Sequence, residues 1–345
     1  VYRHLMVPVD GSDASSEIVG YAVEFARVLG ARVTFLHVLG DSDLAARAGA
    51  RVVEPGGLAW ERLAKAEAAA RAHGVSCDAV GHSVSPPYRA IFAASRECGC
   101  DLIVMAPRGK ADEDGAPASQ TTQVLAAAEQ PVLVCAMEQR PAPKRVTGAL
   151  LDEHRAHAGV LHAWLRVLRG ARLQDVRPHL APIRACAEYL RACPAGRQDG
   201  NITACLEERL RGRTHVIDAE LGELALRRQR NKRMTRALSD LVERYAQGRA
   251  VASELVHAVS AYATFSWEYH GREEGVVYLA ARRYLRDADW QAIDTMLSER
   301  ARSRADVEYG RLIALINEKR EAVGGGAHGA PSHDGLSAAA TDPRT

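Results

Sequence analysis

The chain has 345 residues, 47% hydrophobic and 26% charged, enough to bury a sizeable core in about two domains. A net charge of +2 and a pI near 8.2 provide no general basic field, so composition gives no support for a nucleic-acid partner or an anionic membrane surface. The cysteines, at 77, 98, 100, 135, 186, 193 and 205, are odd in number and form no CxxC pair, which argues against a disulfide framework or a zinc ribbon and for reduced, cytoplasmic thiols.

The chain opens on VYRHLMVPVD without the apolar core of a signal peptide, and no apolar run approaches the roughly 18 residues of a membrane span, so the expectation is a protein neither exported nor inserted. Five short runs rich in Val, Ile and Leu follow in order: HLMVPVD (4–10), RVTFLHVL (32–39), CDAVGHSV (77–84), DLIVMAP (101–107) and PVLVC (131–135). Gly, Pro or Asp bound them, as expected of buried parallel strands. Between them SDASSEIVGYAVEFARVLG, LAWERLAKAEAAARAHG and PPYRAIFAASREC repeat at three and four residues, as covering helices do. Strand and helix in alternation predict a doubly wound, five-stranded parallel sheet over residues 1–138.

QRPAPKRVT, 139–147, has two prolines and no apolar period, and reads as a linker. Beyond it the strand pattern stops. Leu151, His154, Ala158, Leu161, Leu165 and Leu168 recur at three and four, as do Leu173, Val176, Leu180, Ile183, Ala187 and Leu190. Helices are expected at about 215–246, 250–286 and 288–322, giving an antiparallel bundle with a helical extension at 299–322. The Gly-, Ala- and Ser-rich segment 323–345 has almost nothing to bury and is expected to be disordered.

In an open parallel sheet, ligands sit beyond the carboxyl ends of the strands at the switch point. VPVDGSD (Val7 to Asp13), His37-Val38 and MAPRGK (Met105 to Lys110) fall there. With ASQTTQVLAAAEQPVLVC after them, these segments resemble the universal stress protein family over residues 1–138. The resemblance implies a non-enzymatic stress-response protein that binds ATP or AMP and forms a homodimer, with Asp10 and Val38 against the adenosine. Val9, Gly11, Ser12, Met105, Arg108, Gly109, Ser119 and Thr121 complete the implied nucleotide site. The family's phosphate loop is glycine-rich because backbone N–H groups must close around phosphate oxygens. Here Ala106 and Ala118 stand where glycines are expected, and Asp112, Glu113 and Asp114 put negative charge between them. The alternative is a crevice that only packs against its own loop or a partner. No Walker lysine-serine pair or positioned base suggests hydrolysis.

LLDEHRAHAGVLHAWL (Leu150 to Leu165) and the later YHGREEGVVYLAARRYLRDADWQAI resemble the hemerythrin-like cation-binding family over about 148–298. That resemblance implies a four-helix bundle over 148–298 and an iron centre, for dioxygen, peroxide or nitric oxide, with His154, His270, Glu273 and Glu274 as the ligands that remain. The set is depleted: Gln198, Asp199 and Ile202, then Arg228 and Gln229, fall where further ligands belong, and Tyr269 stands at the family histidine. Periodicity leaves open whether Tyr269 and Glu273 or His270 and Glu274 face inward. If no metal binds, the carboxylates need another cation, for which Arg228 is the candidate. His157, His162 and His215 are expected at the surface. RRQRNKR, 227–233, lacks interleaved aromatics and reads as a solvated face, with Trp164, Trp267 and Trp290 as core anchors. Three functions follow: nucleotide sensing with the bundle as relay to an unknown protein partner, an iron protein, or an interaction scaffold with both sites lost.

Overall fold

The structure, a computed structural model, describes residues 1–40, 57–83, 86–107, 120–170, 180–192 and 202–300. The strands are β1 (His4–Pro8), β2 (Arg32–Val38), β3 (Cys77–His82), β4 (Leu102–Met105) and β5 (Val132–Val134). They pair in parallel in the order β3-β2-β1-β4-β5, with β1 central, so the switch point lies between β1 and β4. Side chains alternate across the sheet. Leu5, Val7, Val33, Phe35, Leu102 and Val104 face one core, and Met6, Leu36, Ile103 and Met105 face the other.

Helices α1 (Asp13–Leu29) and α2 (Leu58–Ala72) cover the first face, and α3 (Pro87–Cys98) and α4 (Gln120–Ala127) the second. Helix α1 starts at Ser12, whose hydroxyl accepts from Ser15 N, and stops at Gly30 in the left-handed region. Helix α2 is alanine-rich and buried on two sides. Leu63, Ala66, Ala69 and Ala70 pack on the sheet, while Ala64 and Trp60 join a core of the helical half.

Segment 139–147 is not an irregular linker, because α5 runs unbroken over Pro141–Gly170. Pro141 and Pro143 occupy its first turn, where the missing N–H groups would have had no intrahelical partner anyway, so two prolines open a helix here instead of preventing one. Helices α6 (Leu180–Ala192), α7 (Ile202–Arg211), α8 (Asp218–Ala246), α9 (Ala252–Arg272), a π-helical segment (Glu273–Val277), α10 (Tyr278–Tyr284) and α11 (Asp287–Arg300) follow. The long helices close a ring, with α5 against α6 and α9 and α8 against α6 and α9, while α7 and α11 cap one end. Trp164 and Trp267 centre one apolar cluster and Trp290 the other, all three fully buried. The expected extension beyond residue 300 and the tail lie outside the described residues.

The two halves meet through the stretch containing Gly271 and Gly275. A Cβ at Gly271 would lie 2.2 Å from the backbone oxygen of Lys65, and one at Gly275 would lie 2.3 Å from the Ala69 Cβ. Gly20 of α1 approaches the Gly275 carbonyl, 3.0 Å from where its own Cβ would be. Glycine spacing thus lets α9 and the π segment rest directly on α2 and α1. Gly271→Ala and Gly275→Ala should each destabilise the protein by about 1–3 kcal/mol through overpacking. Gly222→Ala, in α8 with open space around it, should be neutral or stabilising by up to about 1 kcal/mol. Chemical denaturation of the three variants checks this, and an interface that tolerates Gly271→Ala without loss would refute the packing.

Candidate functional sites

At the carboxyl end of β1 the chain makes a tight polar turn. Asp10 Oδ1 accepts from Ser12 N (2.9 Å) and from Ser12 Oγ (2.7 Å), while Asp10 N donates to Ser15 Oγ (3.1 Å). Gly11 takes a φ of 81°, which the turn requires and which a side chain would strain. Val9 is buried beneath it, and His37 fastens the end of β2 by donating from Nδ1 to the Val9 carbonyl at 2.7 Å. Val38 is half-buried at the same edge. Thr121 Oγ1 donates to the Ala106 carbonyl at 2.8 Å, tying the start of α4 to the end of β4.

Of the residues expected at the nucleotide site, Val9, Asp10, Gly11, Ser12, Val38 and Thr121 therefore gather at the strand ends. Met105 ends β4 with its side chain in the core against α3 and α4. Arg108, Gly109, Ala118 and Ser119, with the acidic residues between them, lie outside the described residues. The pattern gave no hint of Arg62, whose guanidinium reaches His37 Nε2 at 3.2 Å and rests against Gly11. Beside this turn a cavity of about 540 Å³ opens between the two halves, walled by Ser12, Ser16 of α1, Arg62 and Lys65 of α2, and Arg155 and His162 of α5.

The second cluster lies deeper in the same interface. His154, His270, Glu273 and Glu274 are all brought together and buried. The His154 ring stacks on His270 with centroids 4.0 Å apart, and its two nitrogens meet separate carboxylates, Nε2 at 3.1 Å from Glu273 and Nδ1 at 2.9 Å from Glu274. The π segment explains why the inward pair was ambiguous. An extra residue in the turn brings Glu273 and Glu274 inward together, with Tyr269 donating to Glu273 at 2.8 Å.

The cation among them is Lys65, which enters from the other half. Its Nζ lies 3.0 Å from Glu274 and 3.1 Å from Glu61. Ser16 Oγ donates to the remaining oxygen of Glu274 at 3.1 Å, and His162 meets Glu61 at 2.6 Å. All four oxygens of Glu273 and Glu274 thus have protein partners, and the Lys65 ammonium supplies the positive charge beside Glu274. The arrangement does not fit a metal centre, and among the described residues no group of three or more His, Cys, Asp or Glu side chains is placed to hold one.

Several surface and pairing expectations change. Arg228 does not pair with Glu273 or Glu274; it forks onto Glu207, with Nη2 to Oε2 at 2.8 Å. His157 is buried where α5 packs on α9, and His162 is half-buried, held against Glu61 of α2. His215 is exposed as expected, paired with Asp218 at 2.8 Å. RRQRNKR is only partly solvated, with Arg227 bonded to Glu223, Arg228 to Glu207 and Asn231 buried as acceptor for Tyr262. Signals for Lys65 existed: it is the lone lysine in an alanine-rich helix, four residues from Glu61.

Electrostatics follow the geometry. Burial opposes charge on Lys65, but Glu274 and Glu61 outweigh it and hold the amine's pKa above its usual value. Burial would raise Glu274, yet Lys65 and His154 bring it down to about 2. Burial likewise opposes charge on His154, and the two glutamates raise it to about 9. His157, by contrast, is lowered to about 3 by burial and then by the charges on His154 and Lys65, and His270 is lowered well below its usual value for the same reasons. One imidazolium therefore stands against two neutral rings, each with an unpartnered buried Nδ1.

Residues 1–136 match the model of the Universal stress protein family, and these residues form a domain of that family. The match stops short of the helical half. Similar solved structures include a universal stress protein family member from Burkholderia pseudomallei (26% identity, 39% of this chain and 96% of that one, TM-score 0.29). Another is the universal stress protein from Archaeoglobus fulgidus in complex with dAMP (24% identity, 39% and 98%, TM-score 0.29). A third is a universal stress protein in complex with cAMP (20% identity, 40% and 98%, TM-score 0.31). No curated protein matches the chain.

Lys65→Met should leave Glu274 short of its cation and cost about 3–5 kcal/mol. Adding Glu274→Gln should recover part of the loss, which denaturant melts of the single and double variants read as a coupling energy. A chelator should not move the melting temperature.

The pH dependence has a definite sign. His154 rises from an unfolded value near 6.5 to about 9 when folded, so its contribution is complete below about 6.5 and lost as pH climbs through about 9. His157 falls to about 3, so its contribution is present above about 6.5 and fades on acidification toward 3. Stability should decline on both sides of about 6.5, and His154→Gln should abolish the alkaline decline specifically.

Proposed function

We propose that the N-terminal domain binds an adenine nucleotide without turning it over, as part of a stress response, and that the helical half relays occupancy to a protein partner. The observation that carries this is the Asp10-Gly11-Ser12 turn, held at the β1 end beside the switch point, with Val38 at the neighbouring strand end and the cavity alongside. Family membership of residues 1–136 supports the same reading. Among the described residues nothing at the turn resembles a base aimed at a phosphate, which favours binding over catalysis. Part of the reading is a homodimer through β5, a short strand at the sheet edge.

The helical half fits a relay better than an iron centre because its buried carboxylates are already neutralised by Lys65 and His154. A hemerythrin-like bundle that has exchanged its metal for a lysine from the other domain agrees with the ring of α5, α6, α8 and α9 and with the depleted ligand set. Helix α1 is the element through which the halves would communicate. Its outer face meets the helical half at Asp13 (Arg155), Ser16 (Glu274), Glu17 (Arg282, 2.9 Å), Gly20 (Gly275) and Glu24 (Arg283), while its first turn belongs to the nucleotide site.

Titration calorimetry with ATP, ADP and AMP tests the binding. Asp10→Ala should weaken it by about 1–3 kcal/mol through loss of a hydrogen bond to a polar ligand group and a looser turn. Wild-type protein that binds none of the three at millimolar concentration would sink the reading.

A further inference from the structure

We propose that Arg62 receives the phosphate of the bound nucleotide, in the cavity between the two halves. This rests on the nucleotide reading above and assigns the part of the site that the loop after β4 would otherwise have to supply. That loop carries Asp112, Glu113 and Asp114 with alanines flanking it, a sequence that repels phosphate.

Arg62 is placed for the role by three features. Its Nε lies 2.5 Å from the point a Cβ on Gly11 would occupy, so the guanidinium lies directly against the turn of the nucleotide site, and only glycine permits it. Its polar partner is a neutral acceptor. His37 spends its Nδ1 hydrogen on the Val9 carbonyl, leaving the Nε2 lone pair to face Arg62, so the guanidinium is oriented without being neutralised. Among the described residues it meets no carboxylate.

The other cations on the cavity wall are already committed. Arg155 bonds Asp13 and Asp152, and Lys65 bonds Glu61 and Glu274. These pairs leave Arg62 as the uncompensated positive charge among the described residues of that wall, at the amino end of α1, where the helix dipole adds to it and favours an anion. A planar guanidinium suits the tetrahedral oxygens of phosphate. The cavity, about 540 Å³, is the size of pocket that small ligands fill, and Val19, Leu58, Ala66 and Leu151 give it an apolar lining between the polar groups. Leu151 belongs to α5, so a phosphate held by Arg62 would border the helical half as well as the sheet domain.

Titration of the full chain with adenosine, AMP and ATP, for wild type, Arg62→Gln and Arg62→Lys, tests the assignment. Wild type should bind AMP and ATP at least about tenfold more tightly than adenosine. Arg62→Gln should erase that advantage while leaving adenosine affinity within about twofold, and Arg62→Lys should keep most of it. Melting curves confirm that the variants are folded. Adenosine bound as tightly as AMP by wild type, or a phosphate advantage untouched in Arg62→Gln, overturns the role of Arg62 while the nucleotide reading stands. Failure of all three ligands to bind overturns the nucleotide reading and this assignment together.

Discussion

The buried carboxylate of Glu274 sets the terms for the rest of the molecule. A carboxylate that deep is costly unless a cation and hydrogen bonds reach it. The helical half supplies one cation, protonated His154, but His154 is shared with Glu273. The second charge comes from Lys65, in a different domain and some 200 residues away in sequence. For a lysine on α2 to reach the carboxylate, the backbones must nearly touch, and that demands the absence of side chains at Gly271 and Gly275. One electrostatic requirement thus accounts for the glycine spacing, the alanine-rich surface of α2 and the joining of two domains into one packed unit.

The arrangement places the Asp10-Gly11-Ser12 turn and the ion cluster on common supports. Helix α2 carries Arg62 toward Gly11 and, one turn on, Lys65 toward Glu274. Helix α1 carries Ser12 and Ser15 at the turn and Ser16 on Glu274. A displacement of either helix at the strand ends would be felt at a fully buried charge pair, where small changes in distance carry large energies. The relay proposed above would need no separate pathway, because the turn and the ion cluster rest on the same two helices.

Much of the sheet domain was legible in sequence because its signals are local. Val- and Ile-rich runs bounded by Gly, Pro and Asp mark strands wherever helices alternate with them, and the site turn follows from Asp-Gly-Ser at a strand end. The helical half was legible as helices but not as a site. Pro141 and Pro143 mark a boundary without saying whether a helix ends or begins there, since proline fits the first turn as well as a linker. A 3.6-residue period could not choose between Tyr269 with Glu273 and His270 with Glu274, because a π segment breaks that period where it matters. Arg228 fell at a plausible position but found Glu207, a nearer carboxylate from α7. Lys65 stood out as the lone lysine of an alanine-rich helix, but its pairing with Glu274 was out of reach, since that contact is fixed by how two domains dock and no local pattern encodes it.

A polar layer in the middle of an apolar bundle also fixes height. Above and below it, the clusters around Trp164 and Trp290 are largely Leu, Val, Ile and Ala, whose contacts are less directional than ion pairs. His154, Glu273, Glu274 and Lys65 do not tolerate a slide of one helix by a turn, because a shift of about 5.4 Å would leave each charge without a partner. The unpartnered Nδ1 atoms of His157 and His270 show that the layer is not optimised for stability alone. Its effect is to make a single register of α2, α5 and α9 far better than its neighbours, and that register is the one that sets Arg62 against Gly11.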